Sequence, residues 1–463
     1  MRLCIALFSF AALAFSQDDI LRRMDAEAAH YAKLSRQIWE YAEIGYQETK
    51  SSALLADELK RAGFRVETGL ANMPTAFTAT SGQGKPVIAI LGEYDALPGL
   101  SQETVPEKKP VVQGGNGHGC GHNTFGVAAA HAAIAVKRAM EERKLGGTIR
   151  FYGTPAEEGG GGKIHLIRGG FFKDVDAAIT WHPWDINAAS TEKWLATVGG
   201  RFRFSGKSSH AAAAPDSGRS ALDAAMIMTH AVDLLREHVP QETRMHYILE
   251  KAGSAVNIVP ESTEVVMMAR HTDAGVLAGI WERIQNTAQA GALATGTQVS
   301  FEVTGSYANM VTNNTLASVL DRAMNKVGGY QYTAEEAKFA EAIRGTLGKV
   351  TRDADAHTKI FPIQTGVLSA STDVGDVSYV VPTAQFNAAT WVPGTPAHTW
   401  QSTAASGMSI GQKGMLVAAK TLALATLDLL SDPKLVSAAR AEYDKVMAGR
   451  EYKTAHPTEI RLR

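Results

Sequence analysis

Lys85-Pro86-Val87-Ile88-Ala89-Ile90-Leu91 runs without a break into Gly92-Glu93-Tyr94-Asp95-Ala96-Leu97-Pro98. No polar residue interrupts Val87 to Leu91, so the segment lacks the alternation of a half-exposed strand. Such a strand is buried on both faces, as in a sheet covered by helices. Upstream, Ile20, Leu21, Met24, Ala28, Tyr31 and Leu34 recur at helical spacing and predict a helix over 18–45, with a second over 51–62. Downstream the pattern predicts an alanine-rich helix over 124–144, then strands over 147–153 and 176–181. Helix alternating with buried strand is the pattern of an α/β domain. The chain beyond 306 returns to it, with a helix over 314–327, a strand near 377–381 and a helix over 406–430.

Between these halves the order changes. The expected elements are a strand over 197–204, a helix over 219–238, strands over 244–251 and 264–271, a helix over 273–292 and a strand over 298–303. This β-α-β-β-α-β order is ferredoxin-like. The expected organisation is a leader of residues 1–16, a larger α/β domain of 17–195 and 306–463, and an inserted unit of 196–305.

The chain has 463 residues, is 45% hydrophobic and carries a formal net charge of -1, which supports a large core and excludes nucleic acid as a partner. Met1-Arg2 precedes a 13-residue apolar run from Leu3 to Phe15, and Ala14 and Ser16 offer small residues for cleavage before Gln17. That is the pattern of a secretory signal peptide, so the expected location is secreted or periplasmic. The run is too short for a transmembrane helix, and no later stretch reads as one, so no membrane partner is expected after cleavage. Of the two cysteines, Cys4 would leave with the leader. Cys120 then stands alone, and metal ligation is one way to protect its thiolate.

Cys120 lies in Gly117-His118-Gly119-Cys120-Gly121-His122-Asn123. Glycine permits close approach, and thiolate and imidazole suit borderline-soft metals such as zinc. Glu157-Glu158 follows the 147–153 strand and precedes four glycines, so one carboxylate can bind a metal while the other acts as general base. His182, in Trp181-His182-Pro183-Trp184, also follows a strand, and His398 lies in Pro396-Ala397-His398-Thr399-Trp400. Asp95 shares the strand-end position, where open α/β sheets place their ligand crevice. Five such ligands exceed the needs of one tetrahedral zinc and suit two metals. In the inserted unit, His210 sits in a loop, and Arg270 lies on a strand where its planar fork suits a carboxylate.

Taken together, the Cys-Gly-His turn, the Glu-Glu pair, the His-Pro and the late histidine resemble, in this order, the aminoacylase/carboxypeptidase-type metallopeptidase superfamily. The likeness is to its amidohydrolase branch, with hippurate hydrolase, N-acyl-amino-acid hydrolases and plant auxin-conjugate hydrolases. It implies a zinc-peptidase-like catalytic domain with an inserted ferredoxin-like lid that often dimerises. It implies Cys120, His122, Glu158, His182 and His398 as ligands of two zinc or manganese ions, with Glu157 as base. Asp95 would stand behind the ligands, and His118, surplus to the ligand set, would do the same. His210 would steady the oxyanion, commonly at the partner subunit's site, and Asn257 and Arg270 would bind the substrate's carboxylate end. Asn123 stands where many members have Asp. The implied reaction is hydrolysis of an N-acyl amino acid of the aminobenzoyl-glutamate kind, or of a short peptide, by a homodimer. Two other readings remain: a cysteine hydrolase with Cys120 as nucleophile and His122 or His118 as base, and a non-catalytic metal-binding protein.

Overall fold

The computed structural model describes residues 17–460, so residues 1–16, expected to be a leader and including Cys4, lie outside the described residues. The strands, in chain order, are β1 (Arg65–Thr68), β2 (Phe77–Gln83), β3 (Val87–Gly92), β4 (Gly147–Gly153), β5 (Ala177–Trp184), β6 (Ala188–Ser190) and β7 (Lys193–Trp194). Then follow β8 (Ala196–Ser205), β9 (Arg244–Ala252), β10 (Ser262–His271), β11 (Gln298–Tyr307), β12 (Val367–Leu368) and β13 (Thr383–Ala389). Seven of them form one mixed sheet in the order β1-β2-β4-β3-β5-β13-β6. Its centre, β4-β3-β5-β13, is parallel, and β1, β2 and β6 run antiparallel at the edges.

The apolar run from Val87 to Leu91 forms β3, buried along its whole length between β4 and β5. One face of the sheet packs on the helices Gln17–Tyr41, His122–Arg143, Asn314–Val327 and Ser409–Ser431. His122–Arg143 is buried on almost every side, and its alanines allow the flanking helices to approach closely. The other face is covered by a second core that includes Leu166, Phe172, Met310, Val374 and Val377.

The inserted unit is a four-stranded antiparallel sheet, β11-β8-β10-β9, with the helices Ala221–Leu235 and Ala274–Thr295 packed on one face. It has its own core, built on Phe202, Phe204, Met228, Val265, Met267 and Ile284. Local chemistry marks the helix ends: Asp273 accepts from the Gly275 and Val276 amides, and Gly296, at φ 65°, closes the other end.

Several expectations are corrected. The strand expected near 377–381 is a short helix, Val374–Ser378, and the strand is β13. Val374, Val377 and Val381 are all buried and stand at helical rather than alternating spacing. The first helix ends at Tyr41, where Ala42 takes φ 43°. The C-terminal helix runs over Ser409–Ser431, and the helices Trp400–Ser406, Ala334–Thr346 and Pro433–Met447 were not foreseen. Ser409–Ser431 is also long and apolar enough to cross a membrane, contrary to the sequence reading, but 78% of its apolar window is buried in the core.

Candidate metal centre

The glycine-rich turn lies just ahead of the His122–Arg143 helix. Gly121 takes φ 79°, and a Cβ there would stand 2.7 Å from Pro183 Cβ. Glycine is therefore needed for both the conformation and the contact that seats the turn against the end of β5. Cys120 Sγ is consequently 3.5 Å from His182 Nε2.

Two groups of potential ligands share this thiol. Cys120, His122 and His182 form one, and Cys120, Glu158 and His398 the other, with the ligand atoms of each group within 4.8 Å of one another. The five residues singled out as ligands are thus brought together from four separate segments, as two triads with one common corner. His398 reaches the site through a strained backbone at φ 59°, held by its amide on Gly119 O at 3.0 Å, and its Nε2 lies 3.4 Å from Glu158 Oε1. Ala156, immediately before the carboxylate pair, is likewise at φ 57°, and its amide donates to Glu48 Oε1 at 2.8 Å.

The imidazoles are oriented as ligands would be. His122 directs Nδ1 at Asp95 Oδ1, 3.0 Å away, and His182 directs Nδ1 at Pro183 O, 2.7 Å away. Each ring then presents Nε2 to the common space. Asp95 is fully buried behind the cluster, and its second oxygen accepts from the Glu158 amide at 2.9 Å. His122 Nε2 is buried without a hydrogen-bond partner among the described residues and faces Glu93 Oε2 at 3.2 Å. A soft thiolate corner, a buried imidazole nitrogen without a hydrogen-bond partner at His122, and a surplus of buried carboxylates together fit divalent cations.

Sequence reading missed the layer beneath. Lys163 is fully buried, with Nζ 2.7 Å from Glu93 Oε1 and 2.6 Å from Asp373 Oδ1. Glu93, His122 and Glu157 form a third convergent group. Glu93 had a visible signal, two residues before Asp95 on the same strand end. Lys163 and Asp373 are 210 positions apart, and nothing local pairs them.

Electrostatics follow from this crowding. Burial first, then Glu93 and Glu158, push the Glu157 carboxyl well above the usual range. Burial, seconded by Glu158, pushes the Cys120 thiol up as well. Burial and the charge of His122 hold His182 down at about 3. His118 is buried and joined to Ile38 O at 3.0 Å, outside all three ligand groups. Asn123 donates to Ser35 Oγ at 3.0 Å and Ser406 O at 2.9 Å, so its amide ties two helices together, as no Asp could.

His210 and Asn257 stand apart from the cluster but beside each other. The Ala211 amide donates to Asn257 O at 2.9 Å, and His210 pairs across to Ile258. Arg270 lies on the sheet face of the inserted unit that carries no helix.

Residues 89–459 match the family model described as Peptidase family M20/M25/M40. The chain belongs to that family. Within it, the chain is 38% identical to one of the p-aminobenzoyl-glutamate hydrolase subunits of Escherichia coli (strain K12), across 94% of this chain and 96% of that one. It is 32% identical to the Xaa-Arg dipeptidase of Mus musculus, across 91% and 90%. Among solved structures, a dinuclear metal binding peptidase of the M20 family from Bacillus subtilis superposes with a TM-score of 0.63 at 17% identity, covering 88% of this chain and 99% of that one. M20 membership makes the protein a hydrolase of amide bonds. The larger domain is the family's catalytic domain, and the inserted unit is its lid.

Proposed function

We propose that this M20 protein cleaves the amide bond of an N-acyl amino acid of the aminobenzoyl-glutamate kind, using two zinc or manganese ions. The observation that carries this reading is a buried Glu157 of raised proton affinity beside two ligand triads that share Cys120. Cys120, His122 and His182 would hold one ion, and Cys120, Glu158 and His398 the other. Bound there, the ions would supply Lewis acidity to the substrate carbonyl and acidify the attacking water. Glu157 accepts that water's proton on a carboxylate oxygen and returns it to the leaving amine nitrogen. A carboxylate held above its usual range suits both transfers. Asp95 keeps the His122 ring in its ligand tautomer. The relative named for aminobenzoyl-glutamate favours an acyl amino acid, and the one named for Xaa-Arg favours a dipeptide as the second reading.

His210 is read as steadying the oxyanion across a homodimer, with Asn257 beside it. Support comes from the lid surface: Met226 (56%) and Leu234 (58%) on the Ala221–Leu235 helix and Leu249 (42%) on the helix-covered face of the edge strand β9 are exposed. An apolar helix face beside an unpaired strand edge fits a second copy of the chain. The leader pattern of residues 1–16 supports a secreted or periplasmic location.

Glu157→Gln tests the assignment. Metal content measured on the purified protein should be unchanged, and kcat on an N-acyl amino acid should fall by ~10²-fold or more. Turnover at the wild-type rate would refute it. Activity that survives exhaustive chelation yet yields to iodoacetamide would favour the cysteine-nucleophile reading instead.

A further inference from the structure

The uncovered face of the lid sheet carries four arginines, and they fall into two kinds. Arg201 is bonded to Glu250 and Glu264, and Arg203 to Glu302 at 2.7 Å. These two are neutralised where they stand. Among the described residues Arg244 and Arg270 have no carboxylate partner: Arg244 donates to the carbonyls of Gln241 and Thr243, and Arg270 to the Met268 sulfur at 3.4 Å. The two are directly opposite each other on β9 and β10, and His246 is the next residue on that face. Like charges directly opposite across a ladder are destabilising, so this pair costs the sheet something that its neighbours avoid.

Both arginines and His246 line one cavity of about 530 Å³. That volume suits a small molecule. The opposite wall is Leu195, Val367 and Ser369 of the catalytic domain, and Glu242 is the one carboxylate on the lining. Leu195 follows Trp194, whose ring lies 6.0 Å from that of His182, so the chain that walls the cavity continues directly to the ligand cluster. An anion entering there would find two guanidinium forks with no acidic partner of their own.

We infer that Arg244 and Arg270 together form a dianion clamp, which selects substrates whose amino acid carries a side-chain carboxylate besides the α-carboxylate. Arg270 takes one carboxylate, and Arg244 the second. This rests on the amide-hydrolase reading above and adds a residue, Arg244, that sets the preference for acidic over neutral amino acids. Charge-assisted bonds of this kind correspond to about 10- to 100-fold in affinity.

The probes are N-benzoyl-glutamate, a dianion, and its isostere with a neutral side chain, N-benzoyl-glutamine, given to metal-loaded wild type, Arg244→Met and Arg203→Met. Wild type should favour the glutamate compound in kcat/KM by about 10- to 100-fold. Arg244→Met should bring that ratio close to one, mainly through KM, and Arg203→Met should keep it. No preference in wild type, or a ratio kept by Arg244→Met, overturns the inference. So does an equal loss in Arg203→Met, which would signal a general field rather than a clamp. If neither compound is hydrolysed, the hydrolase reading fails separately. Calorimetric binding of the same two compounds then decides: a preference lost in Arg244→Met upholds the clamp, and equal binding rejects it.

Discussion

Lys163 shows how much one side chain carries. Its ammonium is enclosed by Glu93 and Asp373, all three with side chains no more than 1% exposed. Breaking a buried ion pair on one side typically costs ~3–5 kcal/mol, because the partner charge stays buried. Lys163→Met should therefore lower the unfolding midpoint in urea by a corresponding amount, and a change under ~1 kcal/mol would show that the network is dispensable. Asp95→Asn addresses the His122 ring itself. It should weaken metal affinity by about 10- to 100-fold, read by competition with a chromogenic chelator. The candidate ligands that the structure brings together were legible in the sequence because each sits in its own short glycine-, proline- or strand-end setting: Cys120 and His122 in a turn, Glu158 before glycines, His182 before Pro183. The pairing of Lys163 with Asp373 was not legible, since it exists only in three dimensions.

At the scale of elements, the turn at Gly121 and the junction at Asp376 are the sensitive points. Gly121→Ala places a Cβ where Pro183 already stands and forces a left-handed residue. It should cost ~1–3 kcal/mol in thermal or urea unfolding and reduce bound metal. Asp376 accepts from the Ala308 amide at 3.0 Å and from Tyr452 Oη at 2.8 Å, joining the return from the lid to the C-terminal segment. Burial raises its carboxyl from 3.8 to about 7. The folded state thus holds the proton that the unfolded state releases. Its contribution is fully present below pH 4 and is lost as pH rises through 7. Asp376→Asn removes that dependence, so the stability of the variant relative to wild type should improve between pH 4 and pH 8 by up to ~4 kcal/mol. A flat difference across that window would contradict this. Elements with a clean period were readable: β3, β4 and the Asn314–Val327 helix stand where the pattern put them, within a residue or two. The Val374–Ser378 helix was misread because valines carry a strand preference that tertiary anchoring overrides. Its Ser378 hydroxyl accepts from the Val311 amide at 2.8 Å.

At the scale of the molecule, the exposed apolar row on Ala221–Leu235 sets an expectation for assembly. Leu234→Glu should convert a dimer to a monomer in analytical ultracentrifugation and lower activity through loss of the partner's His210. A variant that remains dimeric would place the interface elsewhere. The path of the chain through the lid has a different consequence. The unit is entered at β8 and left at β11, and Thr197 pairs directly with Tyr307. Two such residues are about 5 Å apart, a gap that a two-residue hairpin spans. More than a hundred residues thus hang from a single doorway in the backbone. The catalytic domain is topologically free to be made without them, or to receive a different lid through the same opening.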